Sequence, residues 1–373
     1  MEHTVVQTDL SGRLTAPVVV AIPARNEAAL LPACIKALGH QSYAPVFDVV
    51  LLMNNTTDGS AAAARRAAVG LPMRLTILEH DFPLAEQTAG HARRLAMQAA
   101  AGLCGPGGIL MCTDADGRVA PDWIAANLVQ IRGGADAVAG RALLDPADAA
   151  SIPAALHDAD ARECAYAAVL DRIATLVDPD PVDPWPRHTE HSGASICVTW
   201  AAWDRAGGVP AVGIGEDRAF FQALRRMDAR IRHAPDVCVT VSGRIAGRAA
   251  GGMADTIRRR MKMPDSFVDD ALEPALDRVR RLRLRERLRH ARADARQLAD
   301  LAGELGISGD HLAEAAAAPT FGMAWETLER ECPSLAQRPV PTAGLEVELA
   351  RAERILEGLL RIAAPSEVLE AAD

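Results

Sequence analysis

The first half of the chain alternates between short apolar runs and segments whose apolar residues recur at helical spacing. Val18–Ile22 is a continuous run rich in β-branched residues, and comparable runs follow at 47–53, 75–78 and 109–112. Such runs are typical of strands that are covered on both faces. Helices are predicted between the strands, for example over residues 30–38. This alternation predicts a parallel sheet with right-handed crossover connections.

The pattern changes after residue 145, where a longer helical periodicity and a proline-rich stretch follow. The later elements are predicted as a helix over 147–178, an ordered proline-rich loop to 187, strands near 192–198 and 231–242, a helix over 215–227, and helices from 254 onward. Three regions result: a polar tail over 1–16, an α/β domain over 17–250 and a helical region over 251–373.

Composition narrows the class of protein. The 373 residues carry a formal net charge of −9, which argues against a nucleic-acid partner, because such binding depends on neutralising phosphates. No apolar run approaches the ~18 residues of a membrane span, and the first 16 residues lack the apolar core of a signal peptide. The interpretation is a cytoplasmic protein without a membrane span. Its oligomeric state is left open, with a homo-oligomer as one option.

Candidate chemistry lies where the predicted strands end. Asp114 and Asp116 follow the apolar run 109–112 directly, and open α/β sheets bind ligands at the carboxyl ends of their strands. Two carboxylates at this spacing can direct oxygens to one point, which suits a hard divalent cation that also holds phosphates. The alternative is an ordinary Asp-Gly turn. Three further polar segments follow strands or open a helix: Arg25-Asn26-Glu27, Asn54 to Asp58, and Gly215-Glu216-Asp217.

Taken in order, these segments resemble the family 2 glycosyltransferases of the GT-A fold over residues 17 to about 250. The matching motifs are Pro23-Ala24-Arg25-Asn26-Glu27, Asn54-Asn55-Thr56-Thr57-Asp58-Gly59-Ser60, Ala92-Arg93-Arg94, Asp114-Ala115-Asp116, Gly207-Gly208-Val209-Pro210 and Glu216-Asp217. The resemblance implies a GT-A type, Rossmann-like, mostly parallel sheet flanked by helices, with an α-helical C-terminal extension. It also implies an inverting transferase that uses a nucleoside-diphosphate sugar as donor.

The same resemblance implies the roles of individual residues. The donor nucleotide would be bound by Pro23, Arg25, Glu27, Asn54, Asp58, Arg93, Asp114, Ala115 and Asp116, with Arg93 approaching the diphosphate. Asp114 and Asp116 would hold Mg²⁺ or Mn²⁺. His233 is a candidate third metal ligand, and plain packing is the alternative for it. Asp217, with Glu216 as the second choice, would be the base that deprotonates the acceptor.

Two departures from the family pattern refine the expectation. Position 54 is Asn where the family usually has Asp, which leaves the identity of the nucleotide open because an amide both donates and accepts hydrogen bonds. The Gln-x-x-Arg-Trp motif of processive relatives is missing, which favours transfer of a single sugar to a diffusible acceptor whose identity is unknown.

Two other functions are considered. A sugar-phosphate nucleotidyltransferase usually has a Gly-rich basic loop after its first strand, and Pro23-Ala24-Arg25-Asn26-Glu27 contains no glycine. A non-catalytic nucleotide-binding module would not need Asp114, Asp116 and Asp217 together. The segment Ser242-Gly243-Arg244 with Gly247-Arg248 is either a phosphate-contacting loop or a glycine-rich exit from the sheet.

Overall fold

The computed structural model describes residues 4–6, 17–244, 247 and 252–363. Nine strands in this part of the chain form one sheet in the order β1-β4-β3-β2-β5-β8-β7-β9-β6. The strands are β1 Thr4–Val6, β2 Val18–Ala24, β3 Phe47–Asn54, β4 Met73–His80, β5 Ile109–Cys112, β6 Arg118–Val119, β7 Ala137–Leu144, β8 Ile196–Thr199 and β9 Ile231–Val241.

Helices fill the intervals between strands and make up the C-terminal third. They are α1 Leu31–Gly39, α2 Ser60–Ala68, α3 Ala89–Cys104, α4 Trp123–Arg132, α5 Pro146–Ala149, α6 Ala154–Val177, α7 Trp200–Arg205, α8 Glu216–Arg226, α9 Met253–Lys262, α10 Ala275–Ala291, α11 Ala295–Leu305, α12 Gly309–Ala316, α13 Phe321–Glu331 and α14 Leu345–Ala363. The expected α/β fold with helices flanking the sheet and a helical C-terminal region is confirmed. None of the helices in the described residues is both long and apolar enough to span a bilayer.

One half of the sheet is parallel as predicted. β4, β3, β2 and β5 are parallel neighbours, so their carboxyl ends meet at one edge. The other half is mixed, because β8 runs antiparallel between β5 and β7. β7 carries the chain to the carboxyl edge, and residues 190–195 bring it back at that edge. Because β8 starts at the carboxyl edge, it has to run antiparallel to β5. Residues 192–195, which precede β8, therefore lie beside the carboxyl end of β5.

The core of the sheet domain depends on close helix packing. α3 contributes Ala92, Ala96 and Ala100 to a cluster that also contains Phe220 and Phe221 of α8. Small alanine side chains let the helix lie close to the sheet, and the two aromatic rings supply apolar area. Trp123 is fully buried and donates its indole N–H to Ser195 Oγ at 2.8 Å, which agrees with a core role.

The chain divides into two compact units, Met1–Ile152 with Glu190–Lys262 and Pro153–Thr189 with Met263–Asp373. These units differ from the predicted ranges 17–250 and 251–373, because α6 packs with α10 and α14 in the second unit. The predicted boundary at 250 lies outside the described residues. So does the predicted tail over 1–16, apart from Thr4–Val6, which pairs antiparallel with β4.

The second unit buries a carboxylate whose charge is incompletely compensated. Asp171 of α6 is 3 % exposed, accepts a hydrogen bond from Thr189 Oγ1 at 3.4 Å and lies 3.9 Å from the Arg187 guanidinium. Burial raises the pKa of Asp171 from 3.8 to about 6, although Arg187 acts in the opposite direction. Because the folded-state pKa lies above the unfolded one, stability is fully present at low pH and declines as the pH rises through this window.

We therefore expect Asp171→Asn to remove part of the pH dependence of unfolding. The wild type should lose about 3 kcal/mol between about pH 4 and pH 7 at this site, and the variant should not. Urea unfolding across this range measures the difference. Asp158→Asn, an exposed position on the same helix, is the control and should follow the wild type. Parallel curves for the wild type and Asp171→Asn would contradict the prediction.

Candidate active site

Asp114 and Asp116 lie at the carboxyl end of β5, where the sheet edge opens. All four residues of β5 are buried, Thr113 is buried after them, and the chain then turns so that Gly117 N donates to Asp114 O at 2.9 Å. β6 follows at once and pairs with the end of β9. This pairing brings Asp116 next to the residues after β9, where Arg244 Nη2 lies 3.2 Å from Asp116 Oδ2.

Arg244 also joins Asp116 to the first polar segment. Its Nη1 donates to Glu27 Oε2 at 2.7 Å, and its Nη2 donates to Glu27 Oε1. Glu27 is 5 % exposed, and its backbone N–H donates to Ser60 Oγ at 2.8 Å. The hydrogen bonds to Glu27 raise the pKa of Arg244. Of the predicted glycine-rich segment, Arg244 therefore reaches the site, while Arg248 lies outside the described residues.

Negative charge is concentrated around Asp116. Burial, together with the neighbouring carboxylates of Asp114 and Glu27, raises the pKa of its carboxyl from 3.8 to about 6, against the opposing effect of Arg244. A carboxylate with this environment is stabilised by any additional cation.

The donor oxygens fit a divalent cation. Within the described part of the chain, Oδ2 of Asp114 and Oδ1 of Asp116 make no ion pair and no hydrogen bond to another residue. Among those same residues, no group of three or more His, Cys, Asp and Glu side chains is arranged to hold a metal. Two carboxylates with phosphate oxygens completing the shell is the usual way in which proteins bind Mg²⁺. The pair therefore suits a cation that arrives with a phosphate-bearing ligand.

Two buried polar atoms without a hydrogen-bond partner belong to residues at the carboxyl ends of strands. Asn54, the last residue of β3, is 3 % exposed, and its Oδ1 has no hydrogen-bond partner. Thr113 Oγ1 is likewise buried without a partner. Buried polar atoms in native proteins are nearly always paired, so such atoms point to a missing ligand or water. The contact of Asn54 with the nucleotide stays a prediction.

The remaining predicted donor-site residues have partners within the protein. Pro23 lies in β2 and Ala115 is buried. Arg25 Nη2 donates to Gln87 Oε1 at 3.0 Å. Asp58 accepts hydrogen bonds from Ala28 N at 3.1 Å and Ser60 N at 2.9 Å, which ties the two loops together. These contacts hold the loops that surround Glu27.

Arg93 is buried rather than presented to solvent. It is 5 % exposed and uses four of its five N–H donors. Nε donates to Glu216 Oε1 at 2.8 Å, Nη1 to Gly193 O at 2.7 Å and to Cys112 Sγ at 3.1 Å, and Nη2 to Asp114 Oδ1 at 2.8 Å. Burial acts to lower the pKa of Arg93, but the carboxylates of Asp114 and Glu216 outweigh it and hold that pKa well above its usual value.

Glu216 and Asp217 form the first turn of α8 but have different surroundings. Gly215 precedes them at φ +72°, a left-handed conformation that favours glycine. Glu216 is 6 % exposed and its carboxylate faces Arg93. Asp217 is half-buried, and its Oδ2 and Oδ1 accept from the backbone N–H groups of Gly193 at 3.0 Å and Arg218 at 2.8 Å.

His233 does not join Asp114 and Asp116. It lies near the start of β9, opposite Ala139 of β7, and no group of three or more possible metal ligands in the described residues includes it. Its Nε2 contacts His191 Nε2 at 3.1 Å. The metal role implied for His233 is therefore corrected, and packing against His191 is what the structure shows.

Two residues of the site were not predicted from the sequence. Gly193 accepts from Arg93 through its carbonyl and donates to Asp217 through its N–H. Cys112 appeared only as the last apolar residue of a strand, although its thiol faces Arg93. The pair Ser192-Gly193 was the only local signal, because a glycine before a strand often marks a close approach of the backbone.

Comparison with known proteins gives a family match for part of the chain. Residues 19–158 match the model of Glycosyl transferase family 2. This match confirms the predicted resemblance for that segment, which contains Glu27, Asn54, Arg93, Asp114 and Asp116. A search of curated proteins found no match to the chain.

Three solved structures illustrate the structural similarity. The mannosyltransferase PcManGT from Pyrobaculum calidifontis, in complex with GDP-Man and Mn²⁺, is 21 % identical with a TM-score of 0.44, over 92 % of this chain and 88 % of that one. S. aureus TarS 1–349 with UDP is 14 % identical with a TM-score of 0.45, over 95 % and 94 %. Glucosyl-3-phosphoglycerate synthase from Mycobacterium tuberculosis, with Mg²⁺ and UDP, is 14 % identical with a TM-score of 0.39, over 68 % and 82 %. At these values the similarities assign no substrate or metal to this chain.

Proposed function

We propose that the chain moves one sugar from a nucleoside-diphosphate sugar to a diffusible acceptor with inversion, because residues 19–158 match the model of Glycosyl transferase family 2. The observation that carries the proposal is that one network joins carboxylates from two different segments. Asp114 and Asp116 follow β5, while Asp217 lies in the first turn of α8. Arg93 donates to Asp114 and to the carbonyl of Gly193, whose N–H donates to Asp217. One group suits the donor diphosphate and the other suits the acceptor.

The donor side is assigned to the first group. Asp114 and Asp116 would hold Mg²⁺ or Mn²⁺, which when bound neutralises charge on the departing diphosphate. Asn54 would meet the nucleotide base through its unpartnered Oδ1. Arg244, whose side chain is 25 % exposed, is the guanidinium beside these carboxylates that a phosphate could reach.

The acceptor side is assigned to Asp217. An inverting displacement needs one carboxylate to take the proton of the acceptor hydroxyl. Both carboxylate oxygens of Asp217 accept a backbone hydrogen bond, which fixes the orientation of the side chain. Glu216 is the weaker candidate, because its carboxylate is buried against Arg93.

Product analysis tests the proposal directly. The full chain is incubated with Mn²⁺ or Mg²⁺ and a panel of sugar nucleotides that includes UDP-glucose and GDP-mannose, together with candidate acceptors. Release of nucleoside diphosphate, with a single added sugar of inverted configuration, is the expected outcome. Release of pyrophosphate would identify a nucleotidyltransferase instead. Nucleotide binding without turnover on any donor would indicate a binding module.

The metal-dependent part of nucleotide binding should weaken in acid. Protonated Asp116 cannot bind a cation, so the Mn²⁺-dependent gain in UDP or GDP affinity should fall about tenfold for each pH unit below about 6. Without metal the stability has the opposite trend, because a folded-state pKa raised from 3.8 to about 6 makes the protein more stable at the low end of that window. Calorimetric titration across this pH range, with and without Mn²⁺, measures the affinities for UDP and GDP. If the Mn²⁺-dependent gain in affinity of the Asp116→Asn variant also begins to fall near pH 6, the titrating group is not Asp116.

A further inference from the structure

We propose that Arg93 is a positioning residue that fixes the donor-side Asp114 relative to the acceptor-side Asp217, and that it does not bind the diphosphate. The inference rests on the proposed function, which assigns Asp114 to the donor and Asp217 to the acceptor. The supporting observations are hydrogen bonds within the protein. Arg93 donates to Asp114, to Glu216 and to the backbone carbonyl of Gly193.

Most of the N–H donors of the guanidinium are already bound by protein groups. Four of its five N–H donors are used, and the residue is 5 % exposed. A side chain in that state would have to break contacts with Asp114 or Glu216 before it could reach a phosphate. Arg244 is the more accessible cation at the same carboxylates, with 25 % of its side chain exposed. These contacts favour Arg244 over Arg93 as the arginine that contacts the phosphates.

The contacts of Arg93 join segments that are distant in sequence. Asp114 follows β5, Glu216 begins α8, and Gly193 precedes β8. The planar fork of arginine presents its donors in fixed directions, so it sets the spacing of the groups that it binds. A lysine ammonium at the end of a flexible chain cannot satisfy the same set.

Gly193 carries the effect of Arg93 to Asp217. The carbonyl of Gly193 accepts from Arg93 Nη1 at 2.7 Å, and its N–H donates to Asp217 Oδ2 at 3.0 Å. A Cβ at this position would overlap the Arg93 guanidinium. Only glycine lets the backbone approach closely enough, which explains why a side chain is missing between the two charged groups.

The test compares Arg93→Lys and Gly193→Ala with Arg94→Lys. Arg94 is the next residue of α3 and donates to Val209 O at 2.6 Å, outside the network. With the donor that the wild type turns over best, kcat should fall ~10²-fold or more in the first two variants and stay near wild type in Arg94→Lys. The metal-free affinity ratio of UDP to uridine should stay within about twofold in all of them, because no phosphate contact is lost. A ratio that falls about tenfold in Arg93→Lys would show that Arg93 binds the diphosphate, and would overturn the proposal.

A second measurement needs no substrate. Cys112 Sγ is buried against Arg93, and alkylation of this thiol, read by mass spectrometry, reports the integrity of the network. Its rate should rise about tenfold or more in Arg93→Lys and Gly193→Ala and not in Arg94→Lys. An unchanged rate in the first two variants overturns the positioning role whatever the enzyme acts on. A wild type that turns over no donor would contradict the proposed function alone.

Thermal unfolding establishes that each variant is folded under the assay conditions. If Arg93→Lys does not fold, Gly193→Ala provides the same comparison, since it keeps every charge and removes only the close approach. A folded Gly193→Ala with wild-type kcat and wild-type Cys112 protection would overturn the proposal.

Discussion

Asp217→Asn is expected to lower transfer by ~10²–10⁴-fold while leaving the fold and donor binding intact. The amide is nearly the same size as the carboxylate, but it cannot take the proton of an acceptor hydroxyl. Asp217 accepts from two backbone N–H groups, those of Gly193 and Arg218, and an asparagine offers one oxygen for both. The lost hydrogen bond should cost about 1 kcal/mol of stability. Such a loss is small beside the effect on rate.

Glu216→Gln is the matched comparison, because it makes the same chemical change one residue earlier. It leaves Arg93 buried beside a neutral amide, so we expect a loss of stability together with a loss of transfer. Asp217→Asn should show the loss of transfer without that loss of stability. Steady-state kinetics and urea unfolding on both variants separate the two cases. A transfer rate in Asp217→Asn close to that of the wild type would remove Asp217 from the role of base.

Asp116→Ala is expected to abolish the stabilisation that metal and nucleotide give together. At a nucleoside diphosphate concentration of about 100 times Kd, binding stabilises the wild type by about 2.7 kcal/mol. For a chain of this size that corresponds to a rise in Tm of about 3–4 °C. The variant removes one of the two carboxylates with open oxygens, so the Mn²⁺-dependent part of this rise should disappear.

The fold should survive Asp116→Ala, since Arg244 keeps its two hydrogen bonds to Glu27. Asp122→Ala serves as the control, because Asp122 is exposed and lies six residues further along the same segment. Thermal shift measurements with UDP and GDP, each with and without Mn²⁺, provide the comparison. A metal-dependent shift in Asp116→Ala equal to that of the wild type would place the cation elsewhere.

Strand positions and strand-end chemistry could be predicted because they depend on local pattern. The apolar run at 109–112 is buried as β5, and Asp114 and Asp116 follow it at the sheet edge, as the parallel neighbours β2 and β3 require. The start of α8 was predicted at Gly215-Glu216, and Gly215 has the left-handed φ that only glycine adopts readily.

Pairings between distant residues could not be predicted in this way. Arg93 was expected to approach the diphosphate because of the motif that it resembles. Its actual partners lie 21, 100 and 123 positions away, at Asp114, Gly193 and Glu216. His233 was expected as a metal ligand, but in the described residues it forms no group of three possible ligands with the two aspartates, and its Nε2 contacts His191 instead.

The amino-acid sequence by itself determined which segments become strands and helices, and which polar residues stand at the ends of the strands. Periodicity and burial of apolar runs are local properties, so they can be seen in one sequence. The tertiary structure decided the direction of β8, and with it the return of Gly193 to the site. It also decided which arginine is enclosed and which stays accessible at the carboxylates. The reason is physical: a guanidinium binds whatever acceptors surround it, and those acceptors come from segments that only folding brings together.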